Sequence, residues 1–129
     1  MLNKLLSLFK TTNIVSVRGA ITVTKDTKKD IEIETSKLLQ EIFSLNNITK
    51  KDILFIIFSS TEDLKSHYPA SVARENFGLL NESLFSTTEP KIKNNLKLCI
   101  RTLMVFKSKI PQKNLKFIYL ENAKNLRIQ

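Results

Sequence analysis

The sequence predicts an α+β fold, a β-sheet with helices packed on one face. Two observations point there. Apolar or alternating stretches and stretches of helical spacing follow one another as strand, long helix, strand, short helix and then further strands. No internal repeat, low-complexity tract or linker interrupts that order. Residues 13–129 therefore read as one domain, with residues 1–12 as an N-terminal extension.

Taken in order, Met1 to Lys10 carries Leu2, Leu5, Leu6 and Phe9 at helical spacing. It is too short for an ordinary signal peptide and lacks a small-residue cleavage site. A loosely docked helix is expected, with a weak membrane contact as the alternative. Ile14 to Val23 reads as a strand, with Val17, Gly19, Ile21 and Val23 on one face and Arg18, Ala20 and Thr22 on the other. Gly19 marks either a bulge or a close approach to the backbone. Thr27 and Asp30 open a helix in capping-box style, with Asp for the usual Glu. Ile31, Leu38, Ile42 and Leu45 recur along it, Leu39 and Phe43 widen the stripe, and Asn46-Asn47 ends it. Glu32, Lys37 and Glu41 lie opposite, as a solvated face.

Ile53 to Phe58 is wholly apolar and reads as a strand buried on both faces. Pro69 starts a short helix that Gly78 closes. Arg74 lies on it, where a surface pairing with a nearby glutamate and a ligand contact both fit. Leu84 to Thr88 is a strand leading to Glu89-Pro90, and Asn94-Asn95 turns the chain onward. From Leu96 to Tyr119, two apolar strands flank a loop that contains Pro111.

The functional signal sits in that last stretch. On a period of two, Arg101 shares a face with Cys99, Leu103 and Val105. An unpaired charge in such surroundings is costly, so the guanidinium needs an anionic partner. No acidic residue lies between Pro90 and Leu120. The partner must come from elsewhere in the chain, from another subunit or from a ligand, and a ligand is the expectation.

Composition narrows the classes. The net charge of +9 fits an anionic partner or a coding bias toward lysine and asparagine. Of 21 lysines and arginines, only Arg18, Arg74, Arg101 and Arg127 are arginine. They are candidates for positions that need a planar, bidentate donor to a carboxylate. Cys99 and His67 are the only residues of their types, which excludes an intrachain disulfide, a typical zinc site and most triads. Neither a metal nor a cofactor is expected. The longest apolar run, Ile53 to Phe58, is far short of a membrane span.

Three stretches resemble a known family. VRGAITVTKDT (17–27), LKLCIRTLMVFKSKIPQ (96–112) and IYLENAKNLR (118–127) are similar in register to the AroH-class, or Bacillus-type, chorismate mutases. The similarity runs from about Val15 to Arg127 and is weakest over Asn76 to Asn95. It implies a mixed sheet in a homotrimer that forms a pseudo-α/β-barrel, with an active site between subunits. It also implies rearrangement of chorismate to prephenate on the way to phenylalanine and tyrosine, with no cofactor.

Matched by position, the resemblance implies that Arg101 donates to the ether oxygen of the breaking bond. Arg18 would contact a substrate carboxylate, and Tyr119 would hydrogen-bond one. Glu89 would accept from the ring hydroxyl. Tyr68 would line the pocket from the neighbouring subunit, and Phe85, Ser86, Thr87 and Thr88 would contact the substrate. Arg74 would sit near the entrance, and Arg127 would help close the site. Departures are Ser86 for a common Cys, Tyr68 for Phe, Ser71 for a frequent Lys, and Pro90 after Glu89.

Such a pericyclic reaction needs a held conformer and charge stabilised at one oxygen, not a nucleophile. That agrees with the absence of a triad or metal cluster in the sequence. A RidA-like trimeric imine deaminase, which also places an arginine in an intersubunit cleft, is the alternative. A nucleic-acid binder is disfavoured because the lysines are scattered and the aromatics fall in apolar runs. No stable membrane association is expected. The Lys/Asn/Ile-rich composition suggests an AT-rich genome, with the cytoplasm as compartment and the plastid stroma as alternative.

Overall fold

The computed structural model describes Leu2, Leu5 and residues 11–127, the last by its backbone alone. The chain runs β1 (Asn13–Thr22), α1 (Lys28–Leu45), β2 (Ile53–Ser60), α2 (Pro69–Phe77), β3 (Ser83–Thr88), β4 (Cys99–Ser108) and β5 (Ile118–Leu120), then a 3₁₀ segment, Glu121–Arg127. Leu2 and Leu5 are helical and exposed; the rest of the helix expected over Met1 to Lys10 lies outside the described residues.

The five strands form one mixed sheet in the order β3-β2-β4-β1-β5. β4 lies at the centre and is antiparallel to both β1 and β2, whereas β1/β5 and β2/β3 are parallel pairs. β4 is therefore the one strand hydrogen-bonded on both sides to oppositely directed neighbours. Its side chains are held from two directions, which suits it to carry a residue whose position matters.

Both helices cover one face. Val15, Val17 and Ile21 of β1, Ile56 and Phe58 of β2, and Ile100, Met104 and Phe106 of β4 point into a core with Ile31, Leu38, Leu39 and Ile42 of α1 and Ala70 and Ala73 of α2. Each large side chain sealed in this way contributes about 1.5–3 kcal/mol from burial. The inward stripe of α1 also includes Thr35, which the apolar spacing passes over. Leu45, expected on that stripe, is exposed, because it falls at the last residue of the helix, beyond the sheet. The Thr27 hydroxyl caps α1 by accepting from Asp30 N–H at 3.1 Å. Asp30 closes only half of a capping box. Its carboxylate takes the Thr27 hydroxyl at 2.9 Å, while Thr27 N–H turns to Lys25 O. Aspartate is one methylene shorter than glutamate, consistent with its failing to reach back to that N–H.

Asn46 ends the helix as expected and does more. Its buried amide donates to Ile42 O and Lys116 O and accepts from Lys116 N–H at 2.7 Å. It fastens the end of α1 to the loop before β5. Gly19 proves to be a close approach and not a bulge, since the β1/β4 register runs unbroken through it. The one irregularity is in β2, between Ile53 and Phe55.

Among the described residues, neither α1 nor α2 covers the other face. It presents Phe55 and Ile57 of β2, Leu103 and Val105 of β4, and Phe85 of β3, and Phe85 is 66% exposed. β2 is thus not buried on both faces in the single chain, as its apolar run suggested: Leu54 and Phe55 are each 37% exposed. Among the described residues, Glu121–Arg127 folds onto this side. It packs Ala123 against Ala20 and Cys99, and Thr22 Oγ1 accepts from Asn122 N–H.

A Cβ on Gly19 would lie 3.0 Å from Ile118 O, 3.0 Å from Ile42 Cδ1 and 3.2 Å from Leu38 Cδ1. The carbonyl cannot retreat without breaking the β1/β5 pairing. Gly19→Ala is therefore expected to destabilise the fold by about 1–3 kcal/mol, read as a lower denaturation midpoint with an unchanged m-value.

Candidate functional site

The helix-free face brings a polar row into an apolar sheet. Strand pairing places Ala20 and Ser59 on either side of Arg101, with Tyr119 beyond Ala20 and Thr87 beyond Ser59. Both immediate neighbours are small, which leaves the guanidinium room to extend along the surface. Its partner is Glu89, with Arg101 Nε 3.5 Å from Glu89 Oε2. Of the three sources open to the sequence, the partner comes from elsewhere in the chain, which corrects the expectation of a ligand. The acid lies twelve positions before Arg101 in sequence. The β2/β3 pairing, extended by Glu89 N–H to Ser60 O, carries it around to the same corner.

The pair is not closed. Arg101 Nε is buried and makes no hydrogen bond, while the side chain as a whole stays 37% exposed and Glu89 is 13% exposed. The outer edge of the fork can still meet a ligand, and the carboxylate steadies its inner edge. Glu89 also lines a groove of about 780 Å³ between Thr61–Asp63 and the loop from Pro90 to Lys97.

The remaining expected residues fall into separate places. Arg18 is on the same face, one register step from Arg101, and its guanidinium stacks over the Phe117 ring at 4.9 Å. It is exposed. Tyr119 is half-buried beyond Ala20. Tyr68, 67% exposed, lines a second groove of about 580 Å³ with Ser86, Thr87 and Thr88. Along the edge strand Phe85 and Thr87 alternate with Ser86 and Thr88, so each pair takes one face. Arg74 is exposed on α2 and donates to Ser71 Oγ at 3.2 Å, not to a glutamate. The side chain of Arg127 lies outside the described residues. One chain thus holds two groups of residues: Arg101, Glu89, Arg18 and Tyr119 at the sheet face, and Tyr68 with Ser86–Thr88 around the β3 edge.

Several contributors went unread in the sequence. Asp63 accepts Leu98 N–H with both carboxylate oxygens, and Thr61 Oγ1 accepts from Cys99 N–H. His67 Nε2 is buried without a hydrogen bond, 3.9 Å from Glu32 Oε1. Asp26 Oδ1 accepts from Lys65 N–H and Ser66 N–H, which pulls its carboxyl below the ordinary value. Side chains that bond to distant backbone leave no periodic trace.

Fold and face together define an α+β protein with a fixed, half-open guanidinium on the outer face of its sheet. Comparison with known proteins gives the class a family. Residues 14–129 match the family model for chorismate mutase type I. Chorismate mutase AroH of Bacillus subtilis is 33% identical over 114 residues, 88% of this chain and 90% of that one. Chorismate mutase AroH of Thermus thermophilus is 36% identical over 112 residues, 86% and 91% of the two chains. A solved chorismate mutase from Clostridium thermocellum superposes with a TM-score of 0.82 at 38% identity, covering 84% of this chain and 96% of that one. The chain belongs to the type I chorismate mutase family and is an isomerase. The imine-deaminase alternative has no support among these matches.

Cys99 stands next to the site in sequence and shares the face of Arg101. Burial pushes its thiol up from 9.0 to about 11, although the Arg101 guanidinium opposes that shift. In the unfolded chain the thiol ionises at its ordinary value. Between the two values only the unfolded state releases the proton, so stability should fall as pH rises from about 9 to about 11, by up to about 1.4 kcal/mol per unit. Cys99→Ala should flatten that slope in urea titrations. The native thiol should also resist an aromatic disulfide reagent at pH 8 and react on unfolding.

Proposed function

We propose that the chain rearranges chorismate to prephenate in an active site completed by the neighbouring subunit of a homotrimer. The carrying observation is the Arg101 guanidinium, set on the central strand and left partly open beside Glu89. In this reaction one carbon–oxygen bond of the ether breaks and one carbon–carbon bond forms within the same molecule. No proton, electron or leaving group is exchanged with the protein. Negative charge gathers on the ether oxygen as its bond stretches, and a donor fixed in advance at that oxygen lowers the barrier. Arg101 is that donor in this reading.

The other residues bind and orient. Arg18 and Tyr119 take substrate carboxylates, and Glu89 accepts from the ring hydroxyl while keeping Arg101 in place. Tyr68, Phe85, Ser86, Thr87 and Thr88 of a neighbouring subunit form the opposite wall, where the Ser86 hydroxyl serves as a donor. Arg74 lies near the entrance, and Arg127 closes the site from the C-terminal segment. The reading takes residues 13–129 as the catalytic domain and residues 1–12 as an extension.

Two observations support the trimer. Tyr68 and Ser86–Thr88 line a groove that Arg101 does not line within one chain. The helix-free face also leaves Phe55 and Phe85 exposed beside half-buried Ile57, Leu103 and Val105, an apolar surface suited to self-association. The expected partners are a small-molecule substrate and two further copies of the chain, not nucleic acid or a membrane. Among the described residues no helix is long and apolar enough to cross a membrane. We assign the chain to the cytoplasm, with the plastid stroma as alternative, from the composition and the bacterial relatives.

Loss of chorismate absorbance on adding the protein tests the activity, and a protein without effect on it would end the reading. Arg101→Lys keeps the charge and loses the fork. Its kcat should fall about 10²–10³-fold, about 3–4 kcal/mol in the barrier; near-normal turnover would count against Arg101 as the donor. The rate of the parent enzyme should show no bell around neutral pH, since no general acid–base pair takes part.

A further inference from the structure

Arg101 can act only if β4 enters the sheet at the right height, and the structure shows what fixes that entrance. Leu98, the residue before β4, has φ +51°. This left-handed conformation is costly for a branched apolar side chain. It is held by three contacts. Asp63 grips Leu98 N–H with both oxygens, at 3.1 and 3.0 Å, and Val23 N–H donates to Leu98 O at 2.7 Å. The next residue is held as well. Thr61 N–H donates to Cys99 O at 3.0 Å, and Cys99 N–H donates to Thr61 Oγ1 at 2.9 Å. Here the hydroxyl stands in for the Thr61 carbonyl, which accepts instead from Leu64 N–H. The same hydroxyl donates to Asp63 Oδ1 at 2.5 Å.

Resting on the mutase reading, we propose that Asp63 is a positioning residue for the rearrangement: it holds Leu98 in its strained conformation and so sets where Arg101 stands against Glu89. The geometry supports this in two ways. Arg101 is the third residue of β4 and follows Leu98 by three peptide units, so a change at Leu98 reaches it over one short stretch of backbone. Asp63 and Glu89 also line the same groove, so the clamp borders the space beside the carboxylate that pairs with Arg101. Asp63 itself touches no part of the pair. It acts through the backbone, and its loss should be felt most where Arg101 is used most, in the transition state.

The test is a double-mutant cycle between Asp63→Ala and Leu98→Gly, since glycine adopts a positive φ without help. In the parent background Asp63→Ala should lower kcat at least about tenfold with a smaller change in KM. In the Leu98→Gly background the same change should cost less than about threefold. Asp63→Asn, whose amide oxygen can still accept Leu98 N–H, should stay within about threefold of the parent. Amide hydrogen exchange at residue 98 gives a readout that needs no activity: protection should drop in Asp63→Ala and persist in Asp63→Asn. An equal kcat loss in both backgrounds, no loss in either, or an Asp63→Asn as impaired as Asp63→Ala would overturn the proposal. If Asp63→Ala fails to fold, Asp63→Ser, too short to reach Leu98 N–H, takes its place in the cycle and in the exchange measurement. A parent protein inert toward chorismate would instead remove the mutase reading, and the exchange data would still judge the clamp.

Discussion

One constraint shapes this molecule: a positive charge has to stand fixed and partly dry on an apolar sheet. Water would hold a guanidinium more cheaply. Arg101 is kept out of water on one side by its strand and on the other by Glu89, 3.5 Å away and mostly buried. A closed ion pair would satisfy the charge and leave nothing for a ligand. A missing acid would leave the charge unpaired and drive the side chain toward solvent. The observed pair lies between those limits, with Nε buried and unbonded and the fork still reachable.

The scaffold makes that compromise tolerable. β4 is laddered on both edges, so Arg101 cannot shift without disturbing β1 and β2. Beneath it, Ile100, Met104 and Phe106 are locked into a core with α1. Close packing at Gly19, where α1 side chains and the Ile118 carbonyl meet the backbone, ties β1 and β5 into the same block. The rigid side of the sheet is the helical one, and Arg101 and Glu89 stand on the other. In the proposed reading, a reaction that needs no proton transfer benefits from this division, because Arg101 would act as a charge held still.

Small polar side chains do much of the fastening between elements. Asn46 bonds the end of α1 to Lys116, Asp26 bonds the loop at Lys65 and Ser66, and Gln112 pairs with both backbone groups of Ser16. Lys37 joins Glu34 to Glu121 and so ties α1 to the C-terminal segment. The last of these is exposed, and salt will screen it. The amide and carboxylate contacts to backbone are local and directional, and they carry the geometry.

The sequence by itself determined the elements and their order, because periodicity and caps are local. The strand at Ile14, the helix from Thr27 to Asn46, Pro69 and Gly78 at the ends of the short helix, and an arginine out of place among Cys99, Leu103 and Val105 are all legible in the chain. Its three signature stretches also pointed to the family. Only the tertiary structure decided which acid meets Arg101. That contact depends on β3 running parallel beside β2, a pairing with no trace in either strand's own pattern. It also decided that Gly19 is a contact and not a bulge, that Leu45 and Phe55 face outward, and that Asp63 clamps Leu98. The reason is the same in each case: these facts belong to pairs of residues far apart in sequence, and a pattern read along one segment carries no information about what will be packed against it.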